Sequence, residues 1–286
     1  MNSLARSSSW FARSSFARLH EVVSCRRETR QWLALSLAYL RLRRLQYPYE
    51  VKLRSGERLI LAEYTDLVIF WLVFARRHYP VRAADRVIVD VGANIGVFTL
   101  YAAREAPEAR IIALEPFPGT RSRLAELVSS NGLGRKVAVL DCALAGSSGM
   151  GAMDEVDGIP SQYRRIYSEA TKTLNAEHRG TAGVAESTEG IAVRKITMAE
   201  MLNEARIENA DFMKMNVHGS EYEVLLATPA QVLRRCARIA VQYHEMPAAS
   251  GLTKHSIFEH LGRAGFTLTL DDDTGRGAGR AVFERK

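Results

Sequence analysis

Hydrophobic positions along the chain switch between two periods. Tyr49–Leu61 alternates apolar and polar residues about Ser55-Gly56, which predicts a small hairpin, and Asp66–Tyr79 reads as an apolar helix. Val87–Val91 is a run of mostly β-branched residues suited to a strand covered on both faces. The turn Gly92-Ala93-Asn94-Ile95-Gly96 follows, and Val97, Leu100, Tyr101 and Arg104 continue at helical spacing. The same alternation of types recurs downstream. Arg110–Leu114 is a strand ending in Glu115-Pro116, Arg123–Val128 is a helix closing at Asn131-Gly132, and Val137–Leu140 is a third strand followed by Asp141-Cys142-Ala143.

Residues 144–190 are polar and predict a lid or insertion, interrupted by Tyr163, Arg164, Arg165 and Tyr167. Thr197-Met198-Ala199-Glu200 is a capping-box signature for a helix ending near Ala205. Asp211–Asn216 is the next strand, turning at Val217-His218-Gly219, and Ser220-Glu221-Tyr222-Glu223 reads as a second capping box. Arg238–Tyr243 is a strand with His244 and Glu245 at its end, and Thr253–Ala264 is a helix. Thr267–Leu270 and Ala281–Glu284 are expected to form a terminal antiparallel pair.

The leading segment differs in composition. Residues 1–46 carry nine arginines against Glu21 and Glu28, a net of +7, which equals the formal charge of the whole 286-residue chain. The body is therefore neutral and lacks the basic stripe of a nucleic-acid enzyme. We expect residues 1–46 to be a basic, partly helical arm and 47–286 the main domain. Within the arm, Trp32, Leu35, Tyr39 and Leu42 lie near one helical face, with Leu33, Leu37 and Leu40 beside them. Such an arm can dock on the main domain, pair with a partner, or lie on an anionic membrane surface, in that order of preference. Residues 1–30 also have the Ser- and Arg-rich composition of an organellar transit peptide. No apolar run reaches the length of a membrane span. Cys25, Cys142 and Cys236 are widely spaced without a framework, so a reducing, cytoplasmic setting is expected.

The chemistry concentrates at strand ends. A strand, a glycine turn and a helix form a unit in which backbone approaches a ligand closely. A dinucleotide site wants G-x-G-x-x-G, but Asn94 replaces the central glycine, and Asp90 before the turn sits awkwardly beside a pyrophosphate. No Walker lysine follows, which excludes a P-loop. A carboxylate at 90 suits instead a ligand carrying an ammonium, such as the methionine part of S-adenosylmethionine. Glu115 at the second strand end is placed to accept ribose hydroxyls, Asp141 to accept from the adenine amino group, and Ala143 to leave room for the ring. Cys142 reads as a pocket wall.

The runs VIVDVGANIGVFTLYAA, IIALEP and DFMKMNVHGSEYEVL, with VKLRSGERLILAEYTD before and VQYHE after, resemble the FkbM family of S-adenosylmethionine-dependent methyltransferases over roughly residues 47–270. The resemblance implies an α/β, Rossmann-like, seven-stranded class I methyltransferase sheet with helices on both faces. It also implies O-methylation of a hydroxyl on a small molecule, sugar or lipid. The cofactor is then held by Asp90, Gly92, Asn94, Gly96, Glu115, Asp141 and Ala143. Family members often carry Asp and Glu where this chain has Asn216 and His218. The exchange removes two negative charges, weakens any metal-dependent reading, and makes His218 the natural general base, with His244 second, Asn216 beside them and Glu221 as an orienting group. No metal site is expected. The other class of reading is a catalytically inactive binding module acting through a partner.

Overall fold

The computed structural model describes residues 15–154, 190–244, 246, 250–275 and 278–286. The chain divides into two compact units, one reaching to Pro80 and the other beginning at Val81. The break thus falls after Pro80, whereas composition alone placed it after residue 46.

In the first unit, helices α1 (Ser15–Glu28) and α2 (Trp32–Tyr39) precede the hairpin β1 (Tyr49–Lys52) and β2 (Arg58–Leu61). Helix α3 (Tyr64–Phe70) runs on into a π turn over Trp71–Ala75. The expected hairpin is present, with Gly56 in its turn at φ +109. The leading helices are integral to this core. Cys25, Leu35, Val51, Leu61, Phe70 and Phe74 are fully buried, and Trp71 stacks on Tyr39 at 4.4 Å between ring centroids. Thr29 Oγ1 donates to the Lys52 carbonyl at 2.7 Å, which ties the inter-helix link to the hairpin. Leu42 departs from the expected helical face and is 73% exposed, because α2 stops at Tyr39 and Arg41 adopts a left-handed φ of +60. Helical spacing has no meaning beyond that break.

The second unit is built on a seven-stranded sheet. Its strands are β3 (Val87–Val91), β4 (Arg110–Leu114), β5 (Val137–Leu140), β9 (Phe212–Met215), β10 (Arg238–His244), β11 (Phe266–Asp273) and β12 (Ala278–Arg285). The order is β11-β12-β10-β9-β3-β4-β5, and β12 alone pairs antiparallel to its neighbours. The strand run changes direction between β3 and β9, the place where an open α/β sheet leaves a ligand crevice. This is the seven-stranded α/β sheet that the motifs implied. Helices α4 (Val97–Glu105) and α5 (Pro118–Ser130) follow β3 and β4. Helix α6 (Met198–Glu204) precedes β9, α7 (Glu221–Ala227) and α8 (Ala230–Leu233) follow it, and α9 (Lys254–Arg263) precedes β11.

The flanks of the polar stretch 144–190 form a small sheet of β6 (Ala143–Leu144), β8 (Gly190–Ile196) and β7 (Gly149–Asp154). Tyr163, Arg164, Arg165 and Tyr167 lie outside the described residues, as does Glu245. The capping box at Thr197 is formed: its side chain accepts from the Glu200 amide, and Glu200 accepts from the Thr197 amide. The one expected at Ser220 is not. Ser220 takes helical dihedrals and its hydroxyl makes no capping bond, and Glu223, which would complete the box, accepts from the Gly146 amide at 3.3 Å.

Candidate active site

An open crevice of about 600 Å³ lies at the carboxyl ends of β3, β4, β5 and β9. The glycine turn (Gly92, Asn94), the Glu115–Phe117 segment with Thr120, the Cys142–Leu144 segment and the Asn216–His218 turn line it. Gly92 is required on two counts. Its φ is +72, and a Cβ there would stand 2.2 Å from the Asn216 carbonyl oxygen. Asn94 is also left-handed at φ +52, a conformation Asn tolerates better than most residues. Gly96, at φ +88, caps α4 and leaves room for Leu124.

Glu115 is the acid nearest the turn. Its Oε2 accepts from the Asn94 amide at 2.8 Å, and its Oε1 accepts from the Phe117 amide at 3.0 Å and from Thr120 Oγ1 at 2.9 Å. Oε1 is therefore filled, while Oε2 keeps acceptor capacity toward the crevice. Burial pushes the Glu115 carboxyl above its ordinary range, opposed by these three bonds and by the charge of Lys214.

Two expected contacts are redirected. Asp90 is fully buried and does not line the crevice. Its Oδ1 pairs with Lys214 Nζ at 2.8 Å and its Oδ2 accepts from Thr99 Oγ1 at 2.7 Å. The cause is register, since Asp90 and Lys214 stand directly opposite in the parallel β3–β9 pair. Lys214 also donates to the Gly92 carbonyl at 2.7 Å, so Asp90 braces the turn through it. Asp141 is likewise engaged within the protein. Its side chain is 65% exposed, paired with Arg121 at 2.5 Å, and lies outside the crevice lining, which Cys142 and Ala143 enter instead. Cys142 is a buried wall whose thiol burial pushes up to about 11, too high for a ready nucleophile. Lys214 and Thr99 went unread in the sequence. The available signal was a lone lysine in DFMKMN, a strand otherwise apolar on both faces, which demands a buried anion.

Asn216, His218, His244 and Glu221 do come together. Asn216 presents Oδ1 as a buried oxygen with no hydrogen-bond partner among the described residues. An amide oxygen left in that state costs about 1–3 kcal/mol, so the position favours a ligand donor. His218 is held at φ +51 at the crevice edge, and its ring centroid lies 4.9 Å from that of His244. Glu221, fully buried, accepts from the His244 amide at 2.7 Å and contacts His244 Nδ1 at 2.9 Å, besides the Gly219 amide. Because a carboxylate only accepts, Nδ1 carries the proton and Nε2 is left as the acceptor of the neutral ring. Among the described residues no group of three or more His, Cys, Asp or Glu is arranged to hold a metal ion.

The donors and acceptors present fit S-adenosylmethionine: a glycine turn that admits close approach, an acid with a spare acceptor, an alanine wall and an unpartnered amide oxygen. Comparison with known proteins agrees. Residues 90–268 match the model of the methyltransferase FkbM domain. The chain is 26% identical over 215 residues to 31-O-demethyl-FK506 methyltransferase FkbM of Streptomyces tacrolimicus, covering 70% of this chain and 79% of that one. It is 28% identical over 203 residues to methyltransferase sdnD of Sordaria araneosa, covering 64% and 74%. It is 27% identical over 258 residues to AMB antimetabolite synthetase AmbE of Pseudomonas aeruginosa, where it covers 78% of its own length but only 12% of the synthetase. The chain belongs to the FkbM family of methyltransferases, enzymes whose cofactor is S-adenosylmethionine.

Proposed function

We propose that the protein is an S-adenosylmethionine-dependent O-methyltransferase that acts on a hydroxyl of a small molecule, sugar or lipid. The observation that carries this reading is the imidazole pair at the crevice edge, with Glu221 fixing His244 and His218 beside it. The cofactor, when bound, supplies a methyl group on a positively charged sulfur.

The residues of this chain do the rest. Gly92, Asn94 and Gly96 shape the turn that holds the cofactor, Glu115 offers Oε2 to a ribose hydroxyl, and Ala143 flanks the ring. Asp90 contributes through Lys214 and the Gly92 carbonyl. An alcohol is a weak nucleophile until its proton is leaving, and a neutral imidazole within hydrogen-bond reach can take that proton near pH 7. His218 fills this role and His244 supports it. Asn216 Oδ1 would accept from a donor of the bound ligands and so help to orient them. The bound cofactor would supply the methyl group, and His218 would take the proton that the acceptor hydroxyl gives up.

The stated name of the Streptomyces tacrolimicus relative, an O-demethyl substrate paired with a methyltransferase, supports a hydroxyl as the methylated group. Three buried free cysteines support a reducing, cytoplasmic setting. No described helix is long and apolar enough to cross a membrane. The test is incubation with S-adenosylmethionine and a panel of hydroxylated acceptors, followed for S-adenosylhomocysteine. Methylated oxygen in any product sustains the proposal. Tight cofactor binding with no turnover across the panel favours an inactive binding module.

A further inference from the structure

The net charge of the leading segment understates what its surface presents. Glu21 and Glu28, the two acids between residues 19 and 44, both turn inward. Glu21 accepts from Trp71 Nε1 at 2.6 Å and pairs with Arg76 at 2.7 Å, and Glu28 pairs with Arg77 at 3.4 Å. The arginines of the same stretch turn outward. Arg26, Arg27, Arg30, Arg41, Arg43 and Arg44 are all exposed, and none forms an ion pair with a described residue. Among residues 19–44 the exposed side chains thus include six arginines and no acid, although the segment's sequence contains both signs.

The cations are interleaved with large apolar side chains in water. On α1, Leu19, Val23 and Arg26 fall at i, i+4 and i+7, so they share one face, with His20 and Arg27 alongside. Leu19 is 61% exposed and Val23 40%. At the other end Leu42, 73% exposed, sits between Arg41 and Arg43. The unit's core is complete without these residues, because Cys25 and Leu35 already fill the inner faces of the two helices. Exposed leucines among uncompensated arginines match the chemistry of an anionic bilayer surface, where guanidinium groups meet phosphates and the aliphatic chains enter the acyl boundary. A nucleic-acid surface would reward the arginines but leave Leu19, Val23 and Leu42 in water.

We infer that the α1 face formed by Leu19, Val23, Arg26 and Arg27 docks on anionic lipid surfaces, with Arg30 and the Arg41–Arg44 cluster adding charge. The inference is independent of the methyl-transfer reading. The test uses the full chain in co-sedimentation with vesicles of phosphatidylcholine alone and of phosphatidylcholine containing about a third phosphatidylserine. Binding is expected to the anionic vesicles only, with release as salt rises toward about 1 M. Replacing Arg26, Arg27 and Arg30 together by Gln is expected to weaken partitioning about a hundredfold, at roughly fivefold per charge. Leu19→Ser with Val23→Ser is expected to weaken it about tenfold. Unchanged thermal melts check that both variants fold. Equal binding to both vesicle types, or to neither, overturns the proposal. So does a Leu19/Val23 variant that binds like the parent, or preferential capture of single-stranded RNA at the same salt, because either outcome makes the face a general polyanion site.

Discussion

On one wall of the crevice, Glu115 has its carboxylate held by three protein donors. On the other, Asn216 presents an amide oxygen that no donor among the described residues holds. The first wall, proposed for the cofactor, is assembled before any ligand arrives: its turn dihedrals, its acid and the Lys214 brace are all satisfied within the protein. The second, proposed for the acceptor, carries an unmet acceptor and an imidazole pair poised at the edge. A prepaid wall loses little order when a common cofactor binds. A wall with unmet polar groups gains most from a ligand that supplies them, which is how discrimination among acceptors arises. The two walls meet at Gly92 and Asn216, whose close approach leaves no space for a Cβ.

The strongest way to break this division is Lys214→Met. It leaves Asp90 as a buried charge without its cation, and a loss of about 3–5 kcal/mol in unfolding free energy is expected from denaturant melts. Both walls hang on that cross-strand pair, so cofactor binding and turnover should fall together. His218→Ala should separate them. Turnover is expected to drop about 10²–10⁴-fold while calorimetric cofactor affinity stays within about twofold. Equal loss of both would place His218 on the cofactor wall.

Glu115→Ala should act the opposite way, lowering cofactor affinity about ten- to a hundredfold through loss of a charged hydrogen bond. The parent should also show a pH signature. Burial raises the Glu115 pKa, so as pH falls the carboxylate protonates earlier than an ordinary glutamate and loses acceptor capacity. Cofactor affinity is therefore expected to weaken on acidification from a pH above the normal glutamate range, and the Ala variant should lack that inflection. For stability the sign reverses. The raised pKa means the folded state holds its proton more tightly, so this contribution is present at low pH and is lost as pH rises through the folded value. The smallest effect is expected for Asp141→Ala. An exposed ion pair contributes about 0–1 kcal/mol, and cofactor affinity should not change. A clear loss of affinity would return Asp141 to the adenine pocket.

Much of the fold was legible because it rests on local pattern. The β-branched run Val87–Val91, the glycine turn and the helix after it need only neighbouring residues to be read, and all three appear where expected. Glu115, Asn216 and His218 were legible because strand ends in such sheets face the crevice. The protein partners of Asp90 and Asp141 were not. Each was read as a ligand contact from its position after or within a strand. The strand opposite Asp90 supplies Lys214 and the helix after β4 supplies Arg121, and neither neighbour is near in sequence. The unformed capping box at Ser220 has a like origin, since its would-be partner Glu223 accepts from the distant Gly146 amide.

From its residues alone, the chain disclosed an α/β sheet, a glycine turn built for close approach, the acids and imidazoles at its strand ends, and a leading segment rich in arginine. Periodicity, turn chemistry and composition are local properties and survive without coordinates. Only the tertiary structure decided which charges are spent on one another and which remain available. It turned Asp90 inward onto Lys214, joined Glu221 to His244, and hid Glu21 and Glu28 of the leading segment while leaving Arg26, Arg27, Arg30, Arg41, Arg43 and Arg44 exposed. The reason is physical: a charge takes its function from the partner and the dielectric around it, and folding alone brings those partners within reach.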